Sequence, residues 1–395
     1  MQSSICLTSR SQNTPTSFVR EILKVTQNKE VISFAGGLPN PISFPQDELA
    51  NSMQEVVRKY GSNVFQYSTT QGLLELREWI ANRYNQFSSL DLTAGDIIIT
   101  SGSQQSLDLL GKILIEKGDE IILEEPAYLG AIQAFSQYEP TFLPVKLKDD
   151  GIDTEQVEEL LESHSCKLAY LVPNFQNPTG IEYSLEVRRK LRSLFECSDT
   201  VLVEDDPYGE LSFGDPVREY IAGGCLPNSV LLGSFSKTLS PGIRLGFLIT
   251  KNQTIQNAFL KAKQASDLHS NIFSQYMIYE YLSKHDFDKH IVRIRKLYQK
   301  QSACMVRAME HYFPKEVSFT KPNGGMFLWA TLPEHMSSMK LFDQAILEKV
   351  AFVPGDPFYI NVQETNTLRL NYTNSSEEII IEGIKRIGKI ILKEI

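Results

Sequence analysis

A single lysine, Lys237, stands in the run GSFSKTLSPGIRLG, residues 233–246, among three serines and three glycines, with Arg244 seven residues on. A run this rich in Gly, Ser and Pro reads as a loop. It follows the apolar, strand-like VLL of residues 230–232. Taken alone, a loop lysine among small residues is solvated, and the rest of the chain decides whether this one is. Four other clusters could do chemistry. SGSQQ opens a helical pattern and puts Ser101, Gly102, Ser103 and Gln104 at its start. Free N–H groups and the positive dipole end favour an anion there, although a serine is also an ordinary N-cap. EDDPY ends an apolar strand with Asp205, Asp206 and Tyr208. Such acids bind Mg²⁺, cap a helix or hold an organic cation. NPTG, residues 177–180, is a turn by composition. Arg369 interrupts the apolar TLRLNYT, either on a polar strand face or as a bidentate anchor for a carboxylate.

These clusters need a frame. Seven short apolar runs, DIIIT, EIILEE, TFLPVKL, KLAYLVP, TVLVED, VLLGSF and LGFLIT, alternate with helical patterns between Asp96 and about Thr250. That texture predicts a mainly parallel sheet, of seven-stranded type, flanked by helices in an α/β domain. In such sheets ligands bind beyond the carboxyl ends of the strands, where the clusters stand. Long helical patterns follow, then GGMFLWATL, a helix over 338–349, TLRLNYT and a final helix. They predict a smaller α+β domain. Amphipathic helices are also expected over 18–27, 46–61 and from GLLELREW onward. The expected division is a large domain over 46–285 and a small one from 1–45 and 286–395.

The totals exclude several classes. Across 395 residues the net charge is -9, which disfavours a nucleic-acid or anionic-membrane surface. No apolar run approaches membrane-spanning length, and the N-terminus lacks a secretory h-region. The five cysteines are scattered without C-x-x-C, and the six histidines lack ligand spacing, so neither a disulfide framework nor a metal site is expected. A cytoplasmic protein is expected. G-x-G-x-x-G, Walker, H-E-x-x-H and G-x-S-x-G motifs are absent.

In order along the chain, SGSQQ, EEPAY, NPTG, DDPY, SFSK, Arg244 and Arg369 resemble the fold-type I pyridoxal-phosphate aminotransferases of class I/II. FAGGLPNP and QYSTTQG are similar to the subgroup of 2-aminoadipate and kynurenine aminotransferases, which also includes the aminotransferase-like half of GntR-type regulators. No winged-helix pattern stands ahead of Arg20, so the regulator reading loses its DNA-binding part. The resemblance covers nearly the whole chain and implies pyridoxal 5'-phosphate as cofactor. It implies that Lys237 forms the Schiff base with the cofactor aldehyde and shuttles the Cα proton, giving a ping-pong exchange between amino acid and 2-oxo acid, with glutamate and 2-oxoglutarate as one pair. Asp205 is implied to pair with the pyridine nitrogen, and Tyr208 and Asn177 to bond the ring oxygen. Tyr128 is implied to stack on the ring. Ser103, Gln104, Ser234, Ser236 and Arg244 are implied for the phosphate. Tyr67 is implied to reach the phosphate of a neighbouring subunit in a homodimer. Arg369 and Asn177 are implied to hold the substrate α-carboxylate, with Gly37 close by, and Arg20 to meet a distal carboxylate or else to be solvated. Asp206 is read as structural. A β-lyase on the same scaffold, or a non-catalytic ligand-sensing relative, is the alternative.

Overall fold

The computed structural model describes residues 5–14, 22, 30–88, 90–214, 219–222, 226–361 and 364–395. The first strand, β1 (Ile32–Ser33), has two residues and follows a short helix over Ser9–Asn13. The large sheet is built from β2 (Ile97–Thr100), β3 (Glu120–Glu125), β4 (Thr141–Lys148), β5 (Gly151–Ile152), β6 (Cys166–Leu171), β7 (Val201–Asp206), β8 (Ser229–Ser234) and β9 (Gly246–Ile249). Its order is β2-β9-β8-β7-β6-β3-β4-β5. From β4 through β3, β6 and β7 to β8 the pairing is parallel. β9 runs antiparallel to both β8 and β2. The seven longer strands are the seven apolar runs of the sequence, and β5 adds a short eighth, antiparallel to β4. β2 and β7 are buried along their whole length. A strand covered on both faces needs no polar alternation, which is why these runs are continuous rather than patterned.

The reversal at β9 explains the lysine loop. Residues 235–245 join β8 to an antiparallel neighbour, and Ser234 pairs in register with Gly246. The loop therefore leaves and re-enters the sheet at one end, which puts its serines and Arg244 beside one another.

The smaller α+β part carries an antiparallel sheet. Its strands are β10 (Ser318–Phe319), β11 (Phe327–Thr331), β13 (Val353–Pro354) and β14 (Thr367–Asn371), in the order β10-β11-β14-β13. Between them in the chain, β12 (Val350–Ala351) pairs parallel with β1. Phe34 continues that contact: its N–H donates to Ala351 and its carbonyl accepts from Asn371, both at 2.8 Å. The segment after residue 30 is thereby sewn onto the C-terminal part. The final helix, Glu377–Glu394, starts on a Ser376 cap and buries Ile380, Ile384, Ile387 and Ile391 at helical spacing. In proteins most helix stability comes from packing an apolar face rather than from propensity. Burying each isoleucine contributes about 1.5–3 kcal/mol, so docking rather than propensity holds it. Among the described residues no helix is long and apolar enough to cross a membrane. The helix expected over 18–27 lies outside the described residues, apart from Ile22.

Candidate active site

The loops beyond the carboxyl ends of β2, β3, β6, β7 and β8 open onto one cavity of about 560 Å³. Gly37, Ser103, Gln104, Tyr128, Asn177, Asp205, Tyr208, Ser234, Ser236, Lys237, Arg244 and Arg369 all line it. Of the residues implied to meet cofactor or substrate, two are not among them. Tyr67 is 79% exposed, with its ring edge-on to His269. Arg20 lies outside the described residues.

Lys237 occupies the turn after β8. Its Nζ donates to the carbonyl of Gly37 at 2.9 Å. Desolvation by the cavity wall, with the charges of Arg369 and Arg244, brings the amine down to about 8. A useful fraction of it is thus neutral near pH 7, as attack on a carbonyl requires.

β7 is buried throughout yet ends in three acids, and each must find a partner. Glu204 accepts from Ala222 N–H at 2.7 Å and faces Arg188 at 3.8 Å. Asp206 accepts from Asn174 Nδ2 and from Gly209 N–H, both at 2.8 Å, in keeping with a structural role. Asp205 accepts from the Tyr170 hydroxyl through Oδ2 at 2.8 Å, and its buried Oδ1 has no partner. Burial pushes this carboxyl up to about 7. An acceptor left open on a cavity wall is a place for a cationic donor. Asn177 Nδ2 lies 3.4 Å from the Tyr208 hydroxyl, and burial raises that phenol. Tyr128, at the other side, is raised by burial to about 12.

At the far end, the helix Ser103–Leu114 points its start into the cavity. Its cap residue is Gly102, at φ 94°, and offers no side chain to the first N–H groups. Arg244, itself left-handed at φ 56°, reaches across and donates Nη2 to the Ser101 carbonyl at 3.2 Å. A Cβ on Gly102 would stand 3.0 Å from that Nη2. One on Gly246 would meet the Gly233 carbonyl at 2.7 Å and Gly102 Cα at 2.9 Å. Glycine at both positions lets the β8–β9 loop lie against the helix start. Ser234 Oγ accepts from Ser236 N–H at 3.1 Å within the same rim. The Gln104 side chain donates instead to Gly130 at 2.9 Å, so its backbone is what faces the cavity end. Helix N-terminus, hydroxyls and guanidinium together suit a phosphate.

Arg369 is the buried centre of β14, 3% exposed. It is no surface arginine. Nη1 donates to Asn177 Oδ1 at 2.8 Å and Nη2 to the Ala35 carbonyl at 2.7 Å, while Nε is unpartnered. Its guanidinium lies 4.4 Å over the Phe327 ring and 5.2 Å from that of Phe358. Among the described residues no acid pairs with it, so the charge awaits a carboxylate.

Two supports escaped the sequence reading. Tyr170 sat inside KLAYLVP as one more strand residue. Glu124, buried on β3, accepts from Val172 N–H at 2.9 Å, the Tyr183 hydroxyl at 2.6 Å and Gln176 Nε2 at 3.0 Å. Gln176 Oε1 in turn accepts from Thr179 N–H at 2.9 Å, which pins the loop that presents Asn177. Only the strand order β7-β6-β3 places these groups beside one another, and no local spacing encodes it.

The donor set fits pyridoxal 5'-phosphate. An amine of lowered pKa suits an aldehyde, the open oxygen of Asp205 suits a pyridinium nitrogen, and the Gly102–Arg244 end suits a phosphate. The comparisons agree. The family described as "Aminotransferase class I and II" matches residues 40–387. The chain is 40% identical over 386 residues to aromatic-amino-acid aminotransferase 1 of Thermococcus litoralis, covering 95% of this chain and 91% of that protein. The α-aminoadipate aminotransferase LysN of Thermus thermophilus, solved with N-(5'-phosphopyridoxyl)-L-leucine, superposes with a TM-score of 0.90 at 37% identity, with 98% of each chain covered. The kynurenine aminotransferase of Pyrococcus horikoshii gives 0.93 at 39% identity, covering 98% of this chain and 97% of that one. A lysine, a buried carboxylate and a strand arginine meeting in one cavity of this fold are thus explained: the chain belongs to the class I and II aminotransferases and is a pyridoxal-phosphate-dependent aminotransferase.

Proposed function

We propose that the cavity moves the α-amino group of an aromatic or acidic amino acid to a 2-oxo acid, with glutamate and 2-oxoglutarate as one pair, in two half-reactions that use the same site in turn. The carrying observation is the convergence of Lys237, Asp205 and Arg369 on one cavity. The names of the relatives bound the donor class.

When bound, pyridoxal 5'-phosphate supplies an aldehyde to take up the amine and a cationic ring that draws electrons from the donor Cα. The chain supplies the rest. Lys237 would hold the cofactor at its aldehyde end, and once displaced by the donor amine its Nζ would accept the proton from the donor Cα. Asp205 keeps the ring nitrogen cationic. Tyr208 and Asn177 would donate to the ring oxygen, and Tyr128 would hold the ring from the side. Ser103, Gln104, Ser234, Ser236 and Arg244 hold the phosphate. Arg369, steadied by Asn177, fixes the α-carboxylate and so the side of Cα that faces Lys237. Gly37 lets backbone approach, and Arg20 is reserved for a distal carboxylate.

The reading includes a cytoplasmic homodimer. Tyr67 is exposed beside Phe65, itself 71% exposed, and would complete the phosphate site of a second copy. Residues 1–45 with 286–395 form the part that closes over the larger 46–285. In support, Gly37 and Arg369 come from the one and Lys237 from the other. The test is a half-reaction screen: the holoenzyme is mixed with single amino acids while cofactor absorbance and oxo-acid release are followed. Absorbance changes with stoichiometric oxo-acid support it. No response to any amino acid would refute it.

A further inference from the structure

Asp205 is gripped from one side only. Its Oδ2 takes the Tyr170 hydroxyl at 2.8 Å, and its Oδ1 takes nothing. Tyr170 belongs to β6, the strand paired with β7, and stands opposite Val203, two residues before Asp205. It is fully buried, and its ring is braced edge-on by Phe135 at 5.9 Å. The hydroxyl therefore has little freedom to leave. The other acids nearby are turned elsewhere: Asp206 to Asn174 and Gly209, Glu124 to Val172, Tyr183 and Gln176. A carboxylate with two equivalent free oxygens would swing between them. One with a fixed donor on Oδ2 presents a single oxygen in a single orientation.

We propose that Tyr170 is a positioning residue for the cofactor: its hydroxyl occupies Oδ2 of Asp205 and so dedicates Oδ1 to the ring nitrogen of pyridoxal 5'-phosphate. The proposal rests on Asp205 being the partner of that nitrogen. Tyr170 stands on the wall of the same cavity and acts through Asp205. The hydrogen bond also favours the charged form of the carboxyl, against burial and against the neighbouring Asp206 and Glu124.

The test is a double-mutant cycle on the holoenzyme with Tyr170→Phe, Asp205→Asn and both. Cofactor retention is read by equilibrium dialysis, beside the pH midpoint of the bound cofactor's visible band. Loss of a hydrogen bond to a charged group predicts cofactor Kd raised roughly 10-fold in Tyr170→Phe. The band midpoint shifts and kcat falls with the KM for amino donor unchanged, while the cofactor-free chain loses only the modest thermal stability of one buried hydrogen bond. In the Asp205→Asn background, Tyr170→Phe adds nothing. A parental Kd and band in Tyr170→Phe overturns the proposal, as does an effect that multiplies fully with that of Asp205→Asn. A parental Kd in Asp205→Asn alone instead overturns the reading of Asp205 beneath it. Should Tyr170→Phe fail to fold, Phe135→Leu keeps the hydroxyl but removes its brace. Its smaller rise in Kd must likewise vanish in the Asp205→Asn background, and persistence there counts against the proposal.

Discussion

Lys237 Nζ donates to the carbonyl of Gly37 at 2.9 Å, a bond that spans two hundred positions of sequence and joins the N-terminal segment to the loop after β8. The amine is thereby held inside the cavity, among the positive charges of Arg369 and Arg244, before any aldehyde reaches it. A bond to one neutral carbonyl holds the lysine in place without raising its pKa as a carboxylate would. Lys237→Ala should therefore fold and still bind cofactor through the remaining contacts. It should lose covalent attachment, read as the absence of a cofactor adduct by mass spectrometry after borohydride reduction. Loss of the proton carrier predicts turnover down by about 10³-fold or more. Full turnover in that variant contradicts the assignment.

Arg369 tests the substrate end. Both its terminal nitrogens are engaged, by Asn177 and Ala35, and its plane is packed against Phe327 and Phe358. Lysine keeps the charge but not the planar fork or the stacking. Arg369→Lys should lower kcat/KM for amino acids by roughly 10–100-fold, the scale of a lost charge-assisted hydrogen bond, mainly through KM. Primary amines without a carboxylate give the control. Their reaction with the holoenzyme should be unchanged, and an equal loss for amines and amino acids would mean that Arg369 only supports the fold.

The buried acids set a pH dependence. Burial raises Asp205, Glu124 and Glu204 each to about 7 in the cofactor-free chain. Unfolded, they titrate near about 4. Between those limits the folded chain holds protons that the unfolded chain has released. This contribution to stability is full below about pH 4 and is lost as pH rises through about 7. Lys237 runs the other way. Its amine is lowered to about 8, so the folded chain binds fewer protons above that and gains stability from it as pH rises toward about 10. The urea midpoint of cofactor-free Asp205→Asn should accordingly fall less between about pH 4 and 7 than that of the parent. Parallel curves would show that Asp205 is not raised.

Most of the long strands were legible because they are buried on both faces and so read as nearly unbroken apolar runs, whereas β4, with Thr141, Lys146 and Lys148 exposed, carries a mixed run. The chemistry was legible where it stands at strand ends: Lys237, Asp205, Asn177 and the Ser103 helix start all lie just past an apolar stretch. Arg369 was visible but ambiguous, since burial of a strand arginine depends on the partner element, here the segment carrying Ala35. Tyr170 and Glu124 were invisible. Their roles come from the lateral order of β3, β6 and β7, which long-range pairing decides. Gly37 suits close backbone approach. Its bond to Lys237 could not be read from residues two hundred positions apart.

Gly102 carries the last prediction. It caps the helix at φ 94° and ψ 162°, a region open essentially to glycine alone, where an L side chain is strained by roughly 1–3 kcal/mol. A Cβ there would also press on Arg244 Nη2 at 3.0 Å. The guanidinium tip is free to give way, but in doing so it leaves the helix start. Gly102→Ala should therefore weaken pyridoxal 5'-phosphate binding about 10-fold, the scale of one charge-assisted hydrogen bond. It should leave binding of pyridoxal, which lacks the phosphate, nearly unchanged. Dialysis of the variant against each compound separates the two. If both weaken equally, the substitution has disturbed the sheet end as a whole, and the Gly102–Arg244 pair is not the phosphate site.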